Sequence, residues 1–344
     1  MQVDTIPRST MRALELHSFD GWRTGLRLVE KPLPRPEQGQ VLVKIAASPI
    51  NPADLAFMSG RYGVRRSLPT VPGWEGSGRV VASGGGLLAR LLVGRRVACT
   101  ALDNGDGAWA EYMVTAPQRC IPLRQSVTDQ QGAMMLINPL TAWAMIDLAR
   151  RAGHRAIVQT AAAGAVGRML FRLGQEFGLQ LVNIVRRQEQ VELLRSLGAE
   201  HVLSLHQPDF DEQLQAVCSR LGVTLALDAV AGELTGRLLQ AMPRRAEVMV
   251  YGSLSNTACQ VNAGLLIFKQ QRVRGFWLSR WRPRLGLLGL LYAGWQIQSR
   301  LADALATEVQ AQLPLAQAVA GLHQYVGGMT QGKVLLLPAE SLVG

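Results

Sequence analysis

The chain has 344 residues, 48% of them hydrophobic, which excludes a disordered chain and suits one large or two ordinary domains. Its 36 basic and 25 acidic side chains give a net charge of +11, so anionic partners are expected, but the cations are spread along the chain and do not specifically indicate nucleic acid. The four cysteines, Cys99, Cys120, Cys218 and Cys259, form no C-x-x-C pair, which argues against a zinc knuckle, a redox dithiol or a disulfide framework and suits a reducing, cytoplasmic setting.

Met1–Thr10 reads as a loose lead-in without the apolar core of a secretory leader. From Met11 to Pro122, short strands are separated by Gly and Pro, as in Val41–Ile45, Gly78–Ala82, Arg96–Cys99 and Ala110–Val114. This pattern predicts a β-rich, partly closed domain. From about Thr128, strands alternate with helices. The predicted strands are one opening the stretch Ala156–Gly167, then Leu181–Val185, Val202–Leu205, Leu225–Val230 and Glu247–Gly252. The predicted helices are Val166–Phe177, Gln190–Leu197, Asp211–Arg220 and Glu233–Met242. Such alternation implies a doubly wound parallel sheet covered on both faces. Leu285–Ile297 is too short to span a bilayer and is broken by Gly286, Gly289 and Gly294, so no membrane partner is expected. Leu315–Val319 and Gly332–Pro338 read as a helix and a last strand returning to the first domain. The domains expected are 1–127 with 282–344, and 128–281.

The most informative stretch is Ala156–Gly167. Ala161, Gly164 and Gly167 occupy the three small positions of a dinucleotide fingerprint, A-x-x-G-x-x-G. The first permits a tight turn, the second lets backbone approach a pyrophosphate, and the third lets helix pack on strand. The helix that follows aims unpaired N–H groups at the phosphates. The second strand ends in Val185-Arg186-Arg187-Gln188, where an NAD site usually carries an acidic residue. Two guanidinium groups suit the 2′-phosphate of NADP(H) instead.

Together these features resemble the medium-chain dehydrogenase/reductase superfamily over nearly the whole chain. Several motifs resemble its zinc-free branch of 2-enoyl thioester reductases. They are Pro49–Asp54, Gly60-Arg61-Tyr62-Gly63, Ile137–Trp143, Leu265–Lys269 and Arg274–Trp281. The resemblance implies a Rossmann-type α/β domain beside a β-rich GroES-like catalytic domain. Zinc-dependent members place Cys and His where this chain has Asn51 and Trp74, so metal-free chemistry is implied. It further implies NADPH as cofactor and Tyr62 as the catalytic residue. The Tyr62 phenol would stabilise the enolate oxygen or deliver a proton.

The cofactor contacts implied are Asn138, the turn Ala163, Gly164, Ala165 and Val166, then Arg186, Arg187 and Gln188. Tyr251, Gly252, Ser253 and Leu254 follow, with Phe276, Trp277, Leu278, Ser279 and Lys333. Leu285–Ile297 is either a core helix or the lining of an acyl pocket, with Arg280, Arg282 and Arg284 beside coenzyme A phosphates or an acidic acyl carrier protein. A homodimer is expected, with Gln260–Ala263 and the run to Phe268 as its sheet edge. Two other readings stand beside the enoyl thioester reductase: a zinc-free quinone or enone reductase, and a non-catalytic NADPH-binding protein that contacts RNA.

Overall fold

The computed structural model describes residues 9–338, so most of the expected lead-in lies outside the described residues. The chain forms two compact units. Of the described residues, the first takes 9–138, 294–301 and 306–338; the second takes 139–293 and 302–305. The first junction thus lies eleven residues later than the sequence pattern suggested, because helix Asp129–Ala133 packs on the strands of the first unit. Ser77 Oγ donates to Asp129 O at 2.6 Å, and Arg96 Nε donates to Asp129 Oδ1 at 3.0 Å.

The first unit is built on a seven-stranded sheet. Strand Val41–Pro49 pairs antiparallel with Glu75–Ser83 on one side and with Lys333–Leu337 and Tyr112–Thr115 on the other. Glu75–Ser83 continues through Arg96–Thr100 to Cys120–Pro122. The last strand, Lys333–Leu337, does return to the first domain, with Leu336 opposite Ser48 and Val309–Pro314 parallel on its other side. Thr10–Leu16 and Leu26–Pro32 make a separate hairpin. Alternating apolar residues (Val41, Val43, Ile45) and the aromatics Phe57, Trp74 and Trp109 fill the core.

The second unit is a six-stranded, all-parallel sheet. Its order is His201–Ser204, Gln180–Val185, Ala156–Gln159, Leu225–Asp228, Glu247–Val250, Arg272–Gly275. Numbered along the chain, this is 3-2-1-4-5-6, the order that places ligands outside the carboxyl ends where strand order reverses. The fourth strand stops at Asp228 because its carboxylate accepts the N–H groups of Val230 and Ala231, which turns the chain.

Two expectations are corrected. Gln260–Ala263 is not a strand: Asn262 Oδ1 accepts from Gly264 N at 2.8 Å and caps the helix Ala263–Ile267, so the sheet edge is Arg272–Gly275. Leu285–Ile297 is not a core helix either. Helix Gly286–Gln298 buries Leu290, Ala293 and Ile297, while Leu287, Leu288, Leu291, Tyr292 and Trp295 stay exposed.

Candidate active site

In the second unit, four segments follow the carboxyl ends of strands. Thr160–Val166 follows the first strand and makes a tight turn in which Ala161 adopts a positive φ of 51°. Ala163 is buried. Gly164 is the N-cap of helix Ala165–Glu176, which holds Ala165 and Val166 in its first turn and has no side-chain cap. The first intrahelical bond is Arg168 N to Gly164 O at 2.9 Å, so the preceding N–H groups have no helical acceptor. A Cβ on Gly167 would lie 2.4 Å from Ala162 O. The glycine is what lets this helix press against the turn.

The turn is braced from below. Gln159 Nε2 donates to Gly167 O at 2.9 Å and to Asn183 Oδ1 at 2.7 Å. Thr160 Oγ1 donates to Asp228 Oδ1 at 2.9 Å and accepts from Ala229 N at 2.8 Å, joining the ends of the two strands where their order reverses. Thr235 Oγ1 holds the other Asp228 oxygen at 2.8 Å. The small, apolar residues after Thr160 are thereby fixed without polar side chains of their own.

Arg186, Arg187 and Gln188 are exposed beyond the second strand. Gln190 Oε1 accepts from both arginine N–H groups at 3.1 Å, which shapes this bend. Arg187 also pairs with Glu189 at 3.2 Å. After the fifth strand, Tyr251 N donates to Asp228 O at 2.8 Å and Leu254 N to Ala229 O at 3.0 Å. Tyr251 and Gly252 are half-buried; Ser253 and Leu254 are exposed. After the sixth, Phe276, Trp277, Leu278 and Ser279 are all half-buried. These predicted residues therefore share one sheet edge, and the uncapped helix start beside exposed guanidinium groups fits a phosphate-rich dinucleotide.

In the first unit, three adjacent strands bring Lys333, Asn51 and Glu75 to one level. Lys333 is 2% exposed. Its ammonium donates to Ile50 O at 3.2 Å, to Asn51 Oδ1 and to Tyr325 Oη at 3.4 Å. Asn51 Nδ2 donates to Glu75 Oε1 at 3.0 Å. Glu75 Oε2 accepts from Leu136 N at 2.9 Å and Ile137 N at 3.0 Å, the two amides just before Asn138. Asn138, also buried, begins helix Asn138–Arg151, so Glu75 anchors the segment that delivers it. Asp54 accepts from Asn51 N at 2.8 Å and Trp74 N at 3.1 Å.

These charges lie out of water. Burial raises the Asp54 carboxyl to about 7, against the pull of its two amide donors. It raises Glu75 as well and lowers Lys333, each opposed by the other's charge. Trp74 forms a wall: Tyr62 lies on it at 5.0 Å between ring centroids, and the Arg66 guanidinium stands 4.3 Å from its ring. Tyr62 is half-buried. Among the described residues, no group of three or more His, Cys, Asp and Glu is placed to hold a metal ion.

A family profile described as "Alcohol dehydrogenase GroES-like domain" matches residues 37–125, and one described as "Zinc-binding dehydrogenase" matches residues 165–288. Human mitochondrial enoyl-[acyl-carrier-protein] reductase is 32% identical over 247 residues, 70% of this chain and 65% of that protein. The chain therefore spans slightly under two thirds of that relative's length. A crystal structure from Mesorhizobium loti, described provisionally as an NADPH:quinone reductase, is 37% identical with TM-score 0.90, covering 97% of this chain and all of that one. The chain belongs to the medium-chain dehydrogenase/reductase superfamily. A mycobacterial structure complexed with NADPH is 26% identical with TM-score 0.81, covering 95% of this chain and 100% of that one. By the motif resemblance, Asn51 and Trp74 are set opposite the Cys and His of zinc-dependent members. Here the first is tied to a lysine and the second is a ring wall.

The sequence pattern missed Glu75, Asp54, Thr160 and Asp228. A signal existed for Glu75 and Asp54: carboxylates in otherwise apolar or small-residue surroundings (Gly73-Trp74-Glu75-Gly76, Pro52-Ala53-Asp54-Leu55) are either paired or functional.

Proposed function

We propose that this chain is an NADPH-dependent reductase of the C2=C3 double bond of 2-enoyl thioesters, carried by coenzyme A or acyl carrier protein. The observation that carries the reading is Tyr62 seated on Trp74, beside a buried polar cluster that holds neither zinc-ligand residue. It is supported by the likeness to enoyl-[acyl-carrier-protein] reductases.

The amides at Ala163–Val166 would hold the pyrophosphate, and Arg186 and Arg187 the 2′-phosphate. When bound, NADPH supplies the hydride that reaches the β-carbon, leaving the α-carbon to take a proton. Asn138, anchored through Glu75, orients the cofactor. As negative charge grows on the thioester oxygen, the Tyr62 O–H donates a hydrogen bond to it or passes the proton to the α-carbon. Lys333 is buried with its ammonium on Asn51 and is not a surface lysine. Two copies would pair through the exposed edge Arg272–Gly275.

A second reading, a quinone reductase, is favoured by the Mesorhizobium loti likeness. Both need the same hydride and a carbonyl-conjugated acceptor. NADPH oxidation with trans-2-enoyl-CoA esters and with a benzoquinone separates them. Efficient turnover of the thioesters supports the first reading, and turnover of the quinone alone overturns it.

A further inference from the structure

The stretch from Arg280 to Arg300 contains four arginines, two tryptophans and no acidic residue. Within it, helix Gly286–Gln298 has 13 residues and no charge at all. Leu290, Ala293 and Ile297, spaced at three and four residues, bury one face. In a surface helix the opposite face is ordinarily polar. Here it carries Leu287 (46% exposed), Leu288 (82%), Leu291 (43%), Tyr292 (54%) and Trp295 (53%). Isolated exposed leucines need no explanation, but a contiguous row of five apolar side chains marks a contact surface.

The chemistry around the row selects what covers it. Arg280 and Arg284 are exposed immediately before the helix, and Arg280 stacks on Trp277 at 5.4 Å. A second copy on this face would bring the same cations and no carboxylate from this stretch, adding like charge to the patch. An anionic surface meets no such repulsion. Leucines along one ridge, Trp and Tyr with polar tips, and flanking cations are the features of a helix that lies in a lipid headgroup layer. At about 1.5 Å per residue the helix is roughly 20 Å long, too short to cross the hydrocarbon core of about 30 Å, so it can only lie in the plane.

Against the sequence-based expectation of no membrane partner, we infer that helix Gly286–Gln298, with Arg280 and Arg284, is a docking surface for anionic lipid bilayers. Leu287, Leu288, Leu291, Tyr292 and Trp295 enter the headgroup boundary while the arginines meet lipid phosphates. The attachment is peripheral and salt-sensitive, since exposed charges contribute through screened attraction. This inference does not depend on which acceptor the chain reduces.

The test is co-sedimentation of the full chain with vesicles of phosphatidylcholine alone and of phosphatidylcholine with phosphatidylglycerol. The expected result is binding to the anionic vesicles, weakened by salt. Leu288→Glu/Leu291→Glu should lower the partition coefficient at least about tenfold, and Arg280→Glu/Arg284→Glu should abolish the preference for phosphatidylglycerol. The single change Leu288→Ser, at the most exposed side chain, should also weaken binding at unchanged melting temperature, which separates loss of docking from loss of fold. Failure of the wild-type chain to bind anionic vesicles at about 1 mM lipid would overturn the proposal. So would leucine variants that bind like wild type, because attraction would then be purely electrostatic. Sedimentation velocity supplies the other decisive outcome. If the leucine variants convert a wild-type oligomer to monomer, the face belongs to a second copy. Capture of an acidic carrier protein through this face, with no vesicle binding, would equally sink it.

Discussion

Tyr62 and the buried charges near Trp74 carry the chemistry at the scale of single residues. Removing only the phenol oxygen tests the first. Tyr62→Phe keeps the ring on Trp74, so it should lower kcat for an enoyl thioester by about 10²–10³-fold, the range ascribed to one proton donor or oxyanion contact. NADPH affinity, measured by fluorescence titration, should hardly change. Equal loss of NADPH binding would make Tyr62 structural.

Asp54 gives a prediction with a sign. Its folded carboxyl is raised from 3.8 to about 7, chiefly by burial. The protonated form is therefore favoured by folding. The stabilising contribution is full below the unfolded value and is lost as pH rises through about 7. An Asp54→Asn variant cannot titrate there. Its deficit in melting temperature relative to wild type should be larger at about pH 5 than at about pH 8. A deficit that grows with pH would show that the carboxylate, not the acid, is the folded form.

At the scale of elements, the turn before helix Ala165–Glu176 decides cofactor binding. Gly167→Ala would place a Cβ 2.4 Å from Ala162 O, backbone that cannot swing aside. The helix must retreat, which should cost about 1–3 kcal/mol of stability and weaken NADPH binding by titration. At the next strand end, Arg186→Ser/Arg187→Ser removes both exposed guanidinium groups. The KM for NADPH should rise about 10–100-fold, as for loss of one or two hydrogen bonds to a charged group, with the KM for NADH little changed. Equal effects on both cofactors would place the 2′-phosphate elsewhere.

These elements were legible because their signals are local. Small residues at 161, 164 and 167 and apolar runs at strand spacing announce a parallel sheet within a few residues of chain. The returning strand Lys333–Leu337 was legible as a surplus apolar run after the sheet was complete. What escaped notice is long-range. Glu75 reaches amides 61 and 62 residues away, and Thr160 reaches Asp228 across 68 residues. No periodicity encodes such pairings. The sheet edge was misplaced by a different conflict: Gln260–Val261–Asn262 has strand-like polarity, but Asn262 caps a helix, and local capping won. In Arg272–Gly275, two arginines hid an edge strand, since cations on an edge are how sheets discourage unwanted pairing.

That edge sets the last expectation, for the molecule as an assembly. Arg272 N donates to Ala246 O and Phe276 N to Val250 O, both inward to the neighbouring strand. Backbone N–H groups alternate sides along a strand, so Val273 N–H points outward, to the unpaired side. Nearby, Ile267 and Phe268 are exposed at 64% and 75%. A second copy adding its own edge would satisfy the outward groups and cover this apolar flank, joining two six-stranded sheets. Val273→Pro removes only an outward N–H and leaves the inward ladder intact. Sedimentation velocity should therefore show a dimer for wild type and a folded monomer for this variant, with the circular-dichroism spectrum retained. A wild-type chain that stays monomeric at about 10 μM, where an interface of ordinary size holds partners together, would remove the edge from the assembly. The uncharged, apolar helix at Gly286–Gln298 would be unaffected, because its exposed row shares no residue with this edge.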